Sequence, residues 1–400
     1  MDTNEQIAGR VVSLRKRAGL SQADLADRAG VSKYSMSRIE SGERKLSATD
    51  VGALADVLCV TANEILGRVD VNSRVLLAHR LPQLPHPDDV TTTVRRMSEM
   101  LHTEQTLRGL LLLAPAPVVW EMSVPFVTDP QQAGSQLAER VRNKLGRGVE
   151  PIEHIEDVLS ECGVAAMREP LPARVPGMLA QRGTGLDRVC LTVINSSDFY
   201  GRQRFNAAHA LGHALCRDAS ELTVEGSHQS SPDEETRADA FAAHLLAPLE
   251  GLRASATASS RLAAVLPDAA RIPEGPDALI AADLAIEYRT STSMMLHQMV
   301  AAGLVDEARR VALREIDPDT LNADAGHGHV WQVWRDEFEN VVAPPKDLLQ
   351  NALAAYAQGL LGIHVLAGLY ATEDEERLAA DLAGLGWAPV DLDEVDPLPV

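Results

Sequence analysis

The stretch Arg204-Phe205-Asn206-Ala207-Ala208-His209-Ala210-Leu211-Gly212-His213-Ala214-Leu215 decides how this chain is read. Its Ala and Leu content makes it a helix, and His209 and His213 stand one turn apart on the same face. Two imidazoles so placed can direct nitrogens to one ion at about 2.0–2.1 Å. Gly212 in mid-helix costs up to about 1 kcal/mol relative to alanine, which implies that something packs close against the backbone there. A His-x-x-x-His pair alone is weak evidence for a metal, because surface and core histidines meet that spacing by chance. The second half of the pattern lies in Glu235-Thr236-Arg237-Ala238-Asp239-Ala240-Phe241-Ala242-Ala243, where Glu235 and Asp239 are again one turn apart. Glu235 is the candidate third ligand. Asp239 is the candidate acceptor for the far N–H of a ligating histidine, which would fix its tautomer. Two His and one Glu with an open fourth position form a zinc ligand set found in catalytic sites; a solvated acidic face is the alternative for the second pair.

Outward from this core the pattern mixes helices and strands. Gln131–Leu145, Pro151–Cys162, Tyr200–Cys216 and Pro232–Leu246 read as helices. Gly163–Arg168 and Met178–Gln181 read as short strands, and the β-branched run Val189–Ile194 as a buried one. Asp88 to Leu113 is an amphipathic run closed by Ala114-Pro115-Ala116-Pro117. Residues 251–310 read as helical around an Ile272–Pro276 loop. Trp331, Trp334, Phe338, Tyr356, Tyr370 and Trp387 give the last ninety residues enough aromatic material for a core or a docking surface.

At the N-terminus, Ser21 precedes a helix with Asp24 in the capping-box position. Ala29-Gly30-Val31 makes a tight turn and Ser32 caps the next helix, Lys33 to Glu40. Leu25, Ala26, Val31, Met36 and Ile39 fall where two short helices pack on each other, the geometry of a helix-turn-helix whose second helix enters the major groove. Lys33, Tyr34, Ser35, Ser37 and Arg38 are its expected exposed residues. Gln22 is a candidate for a phosphate or base edge, and Arg44 and Lys45 for backbone phosphates.

Composition narrows the options. At 400 residues with 45% hydrophobic content the chain buries a core and implies two to four domains. Only 4% of residues are aromatic, so Ala, Leu and Val do the packing, which favours helices. The net charge of −20 excludes a general polyanion-coating protein. Residues 1–68 nevertheless hold ten Lys/Arg against nine Asp/Glu, so any nucleic-acid role belongs there. Cys59, Cys162, Cys190 and Cys216 show no paired spacing, which excludes a disulfide framework and a CxxC knuckle. The start of the chain lacks an apolar signal segment, pointing to a cytoplasmic protein. Leu348 to Thr372 carries no charge and is long enough to cross a bilayer, but its Gln350, Asn351, Gln358 and His364 favour a buried soluble helix.

Two resemblances follow from these residues. The pattern LSQADLADRAGVSKYSMSRIESGER, residues 20–44, resembles the XRE family of helix-turn-helix regulators, which implies binding of double-stranded operator DNA by a homodimer. The His helix, Val193-Ile194-Asn195 and Arg204-Phe205 before it, and Glu235-x-x-Ala238-Asp239-x-Phe241-Ala242-Ala243-x-Leu245-Leu246-x-Pro248 after it, resemble the ImmA/IrrE family of zinc metallopeptidases over roughly residues 130–300. The resemblance implies Zn²⁺ held by His209, His213 and Glu235, with Asp239 behind a histidine, and a repressor or antitoxin-like protein as substrate. This sequence departs from the family pattern His-Glu-x-x-His by placing Ala210 where the general-base Glu stands. Such acid–base groups contribute about 10²–10⁴ in rate, so the chain as written is expected to be nearly inert while still binding metal. An engineered substitution and a natural pseudopeptidase both fit.

The expected architecture is mainly α with a small α+β zincin-like domain. It comprises a five-helix helix-turn-helix bundle (1–68), a helical linker (69–117), a metallopeptidase core with a short sheet (118–250), a helical appendage (251–310) and a helical C-terminal domain for sensing or dimerisation (311–400). No membrane partner is expected. The alternative function is a non-enzymatic repressor or antitoxin whose metal-binding domain senses a ligand or partner. Tyr200, His228, His327, His329, Cys216 and the Arg95-Arg96 pair are lesser candidates, better read as ordinary packing or surface residues.

Overall fold

In a computed structural model, residues 4–17, 20–58, 65–66, 91–111, 113, 119–173, 175–182, 189–218, 222–224, 231–265 and 275–389 are described. His228, Cys59, the 81–87 proline segment and the acidic end from Val390 lie outside them, as does the 68/69 boundary.

The N-terminal unit begins with four helices, α1 Asn4–Arg17, α2 Gln22–Arg28, α3 Lys33–Glu40 and α4 Ala48–Leu58. Ile65 and Leu66 are also helical, but most of the expected fifth helix falls outside the described residues. Ser21 and Asp24 form a reciprocal capping box, and the Ser32 side chain accepts from the Ser35 N–H. Gly30 takes a φ of +63°, a conformation that L side chains rarely adopt, and so turns α2 into α3. Leu25, Ala26, Met36, Ile39, Leu54 and Leu58 are buried between the helices. The Glu40 carboxylate accepts from Arg15 (Nε, 2.6 Å) and from Gln22 (Nε2, 2.9 Å), tying α1 and α2 to α3.

The central unit is built on a four-stranded sheet of order β1-β3-β2-β4, with β1 Val164–Glu169, β2 Gly177–Arg182, β3 Val189–Asn195 and β4 Leu222–Val224. β1 runs parallel to β3, and β2 runs antiparallel to both β3 and β4. The three longer strands match the sequence reading. β4 does not appear in it, because three residues are too few to show a period of two. Side chains alternate between two cores, as the pleat requires. Val164, Leu179, Cys190 and Ile194 join the core of the histidine helix. Met167, Met178, Ala180, Leu191 and Val193 join the core on the opposite face.

Helices cover both faces. α5 Thr91–Leu110 precedes the sheet, α6 Pro130–Lys144 and α7 Ile155–Glu161 flank it, and α8 Tyr200–Cys216 and α9 Pro232–Leu246 follow it. α7 starts four residues later than the 151–162 reading. The carbonyls of Ile152 and Glu153 are instead taken by the fully buried Arg204 guanidinium of α8 (2.5 and 3.0 Å). Two glycines let α9 approach its neighbours closely. A Cβ at Gly212 would sit 2.9 Å from the Phe241 ring and 3.4 Å from Ala238 Cα, which is the close packing the mid-helix glycine implied. A Cβ at Gly134 of α6 would sit 2.2 Å from Arg237 O and 2.8 Å from Phe241 N. The acidic helix is thereby clamped between α6 and α8.

The remaining helices are α10 Leu249–Val265, α11 Pro276–Glu287, α12 Thr292–Ala301, α13 Glu307–Arg314, α14 Pro318–Asp324, α15 Gly328–Phe338, α16 Lys346–Ala357, α17 Ile363–Tyr370 and α18 Glu375–Gly384. α10 to α14 share one core around Leu284, Tyr288, Met295 and Met299. Trp331 and Trp334 of α15 form an aromatic cluster with Tyr200, which stacks on Phe338 at 4.0 Å; Tyr200 is a packing residue at the start of the histidine helix. The uncharged Leu348–Thr372 run is two helices, α16 and α17, interrupted at Gln358–Gly362, rather than one. Leu348, Ala352, Leu366 and Leu369 bury in the same core as α5 and the sheet. Among the described residues no helix is long and apolar enough to cross a membrane. Arg96 pairs with Glu169 (3.2 Å), so it belongs to this packing and not to a solvated face. His327 holds the N-cap position of α15, and its Nε2 bonds Asp283 (2.7 Å).

Candidate metal centre

The histidine helix owes its position to β3, which leads into it through Asn195-Ser196-Ser197. The Asn195 side chain holds that bend, accepting from Leu171 and Ser197 N–H groups at 2.9 Å and donating to Val175 O. Fourteen of the seventeen α8 residues are buried, so its imidazoles point into a restricted space. His209 and His213 bring their Nε2 atoms to 3.0 Å from each other. Glu235, in the first turn of α9, adds Oε2 at 3.4 Å from His209 Nε2 and Oε1 at 3.6 Å from His213 Nε2. These three side chains are the one group of potential metal ligands among the described residues.

The outer nitrogens are both held by carboxylates. His209 Nδ1 lies 2.9 Å from Asp239 Oδ1, and His213 Nδ1 lies 3.0 Å from Asp218 Oδ2. A carboxylate accepts, so each Nδ1 carries the proton, and in the neutral ring each Nε2 presents a lone pair. Two lone pairs and a carboxylate turned on one another repel unless a cation sits among them. Ligand atoms about 2.0–2.1 Å from a tetrahedral zinc ion lie about 3.3 Å apart, and the observed separations of 3.0, 3.4 and 3.6 Å bracket that value. The residues therefore fit such an ion.

Asp218 is a residue that sequence reasoning missed. Arg217 ends α8 in the left-handed conformation (φ 60°), and this turns the chain back so that Asp218 meets His213. Nothing about an arginine announces a positive φ. Arg237 of α9 donates to Asp218 (2.5 Å), so the acidic helix supplies Glu235, Asp239 and the cation that orients Asp218. Burial lowers the His213 pKa, but hydrogen bonds to Asp218 and Glu235 outweigh it and raise the net value. Cys216 lies one turn beyond His213 and is not among the converging ligand atoms; burial, then Asp218, push its thiol up to about 11. Ala210 is 1% exposed and offers no group to carry a proton.

A cavity of about 820 Å³ opens on the Asp239 side, with Phe205, Asn206, His244, Met294 and His297 in its wall. Burial lowers the pKa of both His244 and His297, and Arg310 adds to the effect at His297.

On the N-terminal unit, Lys33, Tyr34, Ser37 and Arg38 of α3 and Lys45 are exposed, Tyr34 at 73%. Ser35 is half-buried and bonds Ser32 (3.0 Å). Gln22 is engaged with Glu40, and Arg44 with Asp50 (2.9 Å).

The fold and site define a helix-turn-helix unit on the same chain as a metallopeptidase-like domain. Comparison with known families agrees: residues 6–66 match the family model of a helix-turn-helix domain, and residues 189–298 match that of the IrrE N-terminal-like domain. The chain carries both domains, one like the XRE regulators and one like the ImmA/IrrE peptidases. The second match begins at β3, although α6, α7, β1 and β2 belong to the same folded unit. No curated protein and no solved structure matches the chain.

Proposed function

We propose that this protein is a cytoplasmic, homodimeric DNA-binding regulator whose second domain binds Zn²⁺ through His209, His213 and Glu235. The convergence of the two Nε2 atoms at 3.0 Å beside the Glu235 carboxylate carries the metal reading. A zinc ion supplies Lewis acidity toward a peptide carbonyl. The protein's own residues hold it: Asp239 and Asp218 fix both imidazole tautomers, and Arg237 keeps Asp218 in place. In the peptidase reading the cavity beside Asp239 receives a side chain of a repressor or antitoxin-like protein, and Glu at position 210 serves as the general base. With Ala210 the chain binds such a partner without cutting it efficiently. The second reading, a non-enzymatic repressor or antitoxin that uses the metal domain to sense or hold a partner, is favoured by the same alanine.

Metal analysis of the purified full chain should give about one zinc per protomer, and His209→Ala should remove it. Absence of zinc in the parent protein overturns both readings of this domain. Ala210→Glu separates them: cleavage of a neighbouring-gene repressor or toxin partner, rising by about 10²–10⁴, supports the peptidase, and unchanged inertness supports the sensor. DNA binding is tested independently by a mobility shift on the region upstream of its own gene.

A further inference from the structure

β1 is an edge strand, and the protein begins to cover its free edge but does not finish. Arg168 donates its N–H to Ala343 O (2.8 Å) and accepts from Ala343 N–H (3.0 Å), an antiparallel bridge on the side away from β3. Glu169 O turns the other way and accepts from Ser196. By the two-residue period, Ala166 therefore presents its N–H and C=O on the same outer edge as Arg168. Continued register would set residue 345 opposite Ala166. Residues 344 and 345 are both proline, so no N–H is available to donate, and the chain turns away into α16 at Lys346. No backbone partner on this edge reaches Ala166 among the described residues.

The uncovered edge opens on a cavity of about 540 Å³, within the range that holds ligands. Its apolar wall comes from three parts of the chain: Met100 and Leu101 of α5, Leu191 of β3, and Leu348 and Leu349 of α16. Its basic side chains are all held in ion pairs. Arg108 pairs with Glu104 (2.6 Å), Lys346 with Asp157 (2.7 Å), Arg289 with Glu153 (2.9 Å) and Arg168 with Glu156, while Asp347 accepts from Ser160 (2.7 Å). Glu337 remains solvent-exposed. In the strand order, β1 is the edge opposite β4, the strand that follows Asp218, so this is not the metal site or its adjoining cavity.

We infer that the β1 edge and its cavity bind a short, free, uncharged apolar peptide, which adds an antiparallel strand at Ala166 and buries its side chains against α5 and α16. Backbone pairing at the edge demands alternating amide donors and acceptors, and an apolar wall whose basic groups are all held in ion pairs favours apolar over acidic side chains. The site does not depend on zinc.

The test uses the full chain and acetyl-Val-Leu-Val-amide, read by calorimetry and by hydrogen exchange. Saturable one-to-one binding and slowed exchange at residues 164–168 are expected. Ala166→Pro removes the outward donor without touching the β3 ladder, and should abolish binding with zinc content unchanged. A peptide with one amide replaced by an ester should bind several-fold more weakly, a control that needs no protein variant. No binding up to the peptide's solubility, protection elsewhere, or equal affinity of amide and ester peptides would overturn the inference. Equal affinity would mean that the cavity takes apolar molecules without using the strand edge.

Discussion

The clamp on the acidic helix makes Gly134→Ala the most informative single change, although residue 134 is neither a ligand nor a neighbour of one in sequence. The added methyl would lie 2.2 Å from Arg237 O and 2.8 Å from both Ala240 Cβ and Phe241 N. Ordinary contact begins near 3.4 Å, so α9 must retreat from α6 by roughly 1.2 Å. Its other flank already presses on α8, where a Cβ at Gly212 would stand 2.9 Å from Phe241, so there is little room to retreat into. Alanine gains about 1 kcal/mol of helix propensity over glycine, while overpacking costs about 1–3 kcal/mol. The net expectation is a loss of up to about 2 kcal/mol. The effect on metal should be larger in relative terms. α9 carries Glu235, Asp239 and Arg237, and metal sites tolerate ligand displacements of only about 0.2 Å. Zinc affinity should fall by about 10–100-fold. Thermal melting with and without chelator, together with a competitive zinc titration, measures both terms. A Gly134→Ala protein that melts at or above the parent temperature and keeps parental zinc affinity would refute the claim that close helix approach builds the site.

Other outcomes follow from individual contacts. Asp218→Asn should weaken zinc binding by about 10–100-fold, because the amide no longer enforces the Nδ1-protonated tautomer of His213; chelator competition at neutral pH reads this directly. Burial raises the Asp50 pKa, but hydrogen bonds from Ser47 and the nearby Arg44 outweigh it, so the folded value is depressed. Its stabilisation of the N-terminal unit is then present above the unfolded value of about 3.9 and lost as pH falls below that through the folded value. Asp50→Asn should flatten this acid limb in a pH series of melts, and an unchanged limb would assign the acid sensitivity to other carboxylates. Replacing Lys33 and Arg38 together by alanine should weaken operator binding and reduce its salt dependence, since both are exposed on α3; unchanged shifts would move the DNA surface elsewhere.

Much of this could be read from residue order, for identifiable reasons. Caps and turns are local: Ser21 with Asp24, Ser32 before α3 and Gly30 at the turn depend on neighbours within a few residues. The His209–His213 and Glu235–Asp239 spacings are likewise properties of one helix each, and Tyr200–Cys216 and Pro232–Leu246 coincide with the helices found. Readings failed where a distant group intervened. Arg204 takes the carbonyls that would have begun α7 earlier, and α5, placed between domains by its proline flanks, lies on the sheet through contacts with α16 more than two hundred residues away.

The linear chain by itself determined the capped helices α2 and α3 and the extents of the histidine and acidic helices, and it made two histidines and a glutamate candidate metal ligands. Only the tertiary structure decided that those three side chains meet, that Asp218 stands behind His213, and that the described residues leave part of the β1 edge uncovered. The division has a physical cause. Helix periodicity and capping act over a turn or two of backbone, whereas a shared metal position depends on how closely separate helices approach, and that distance is set by the absence of a Cβ at Gly134 and Gly212.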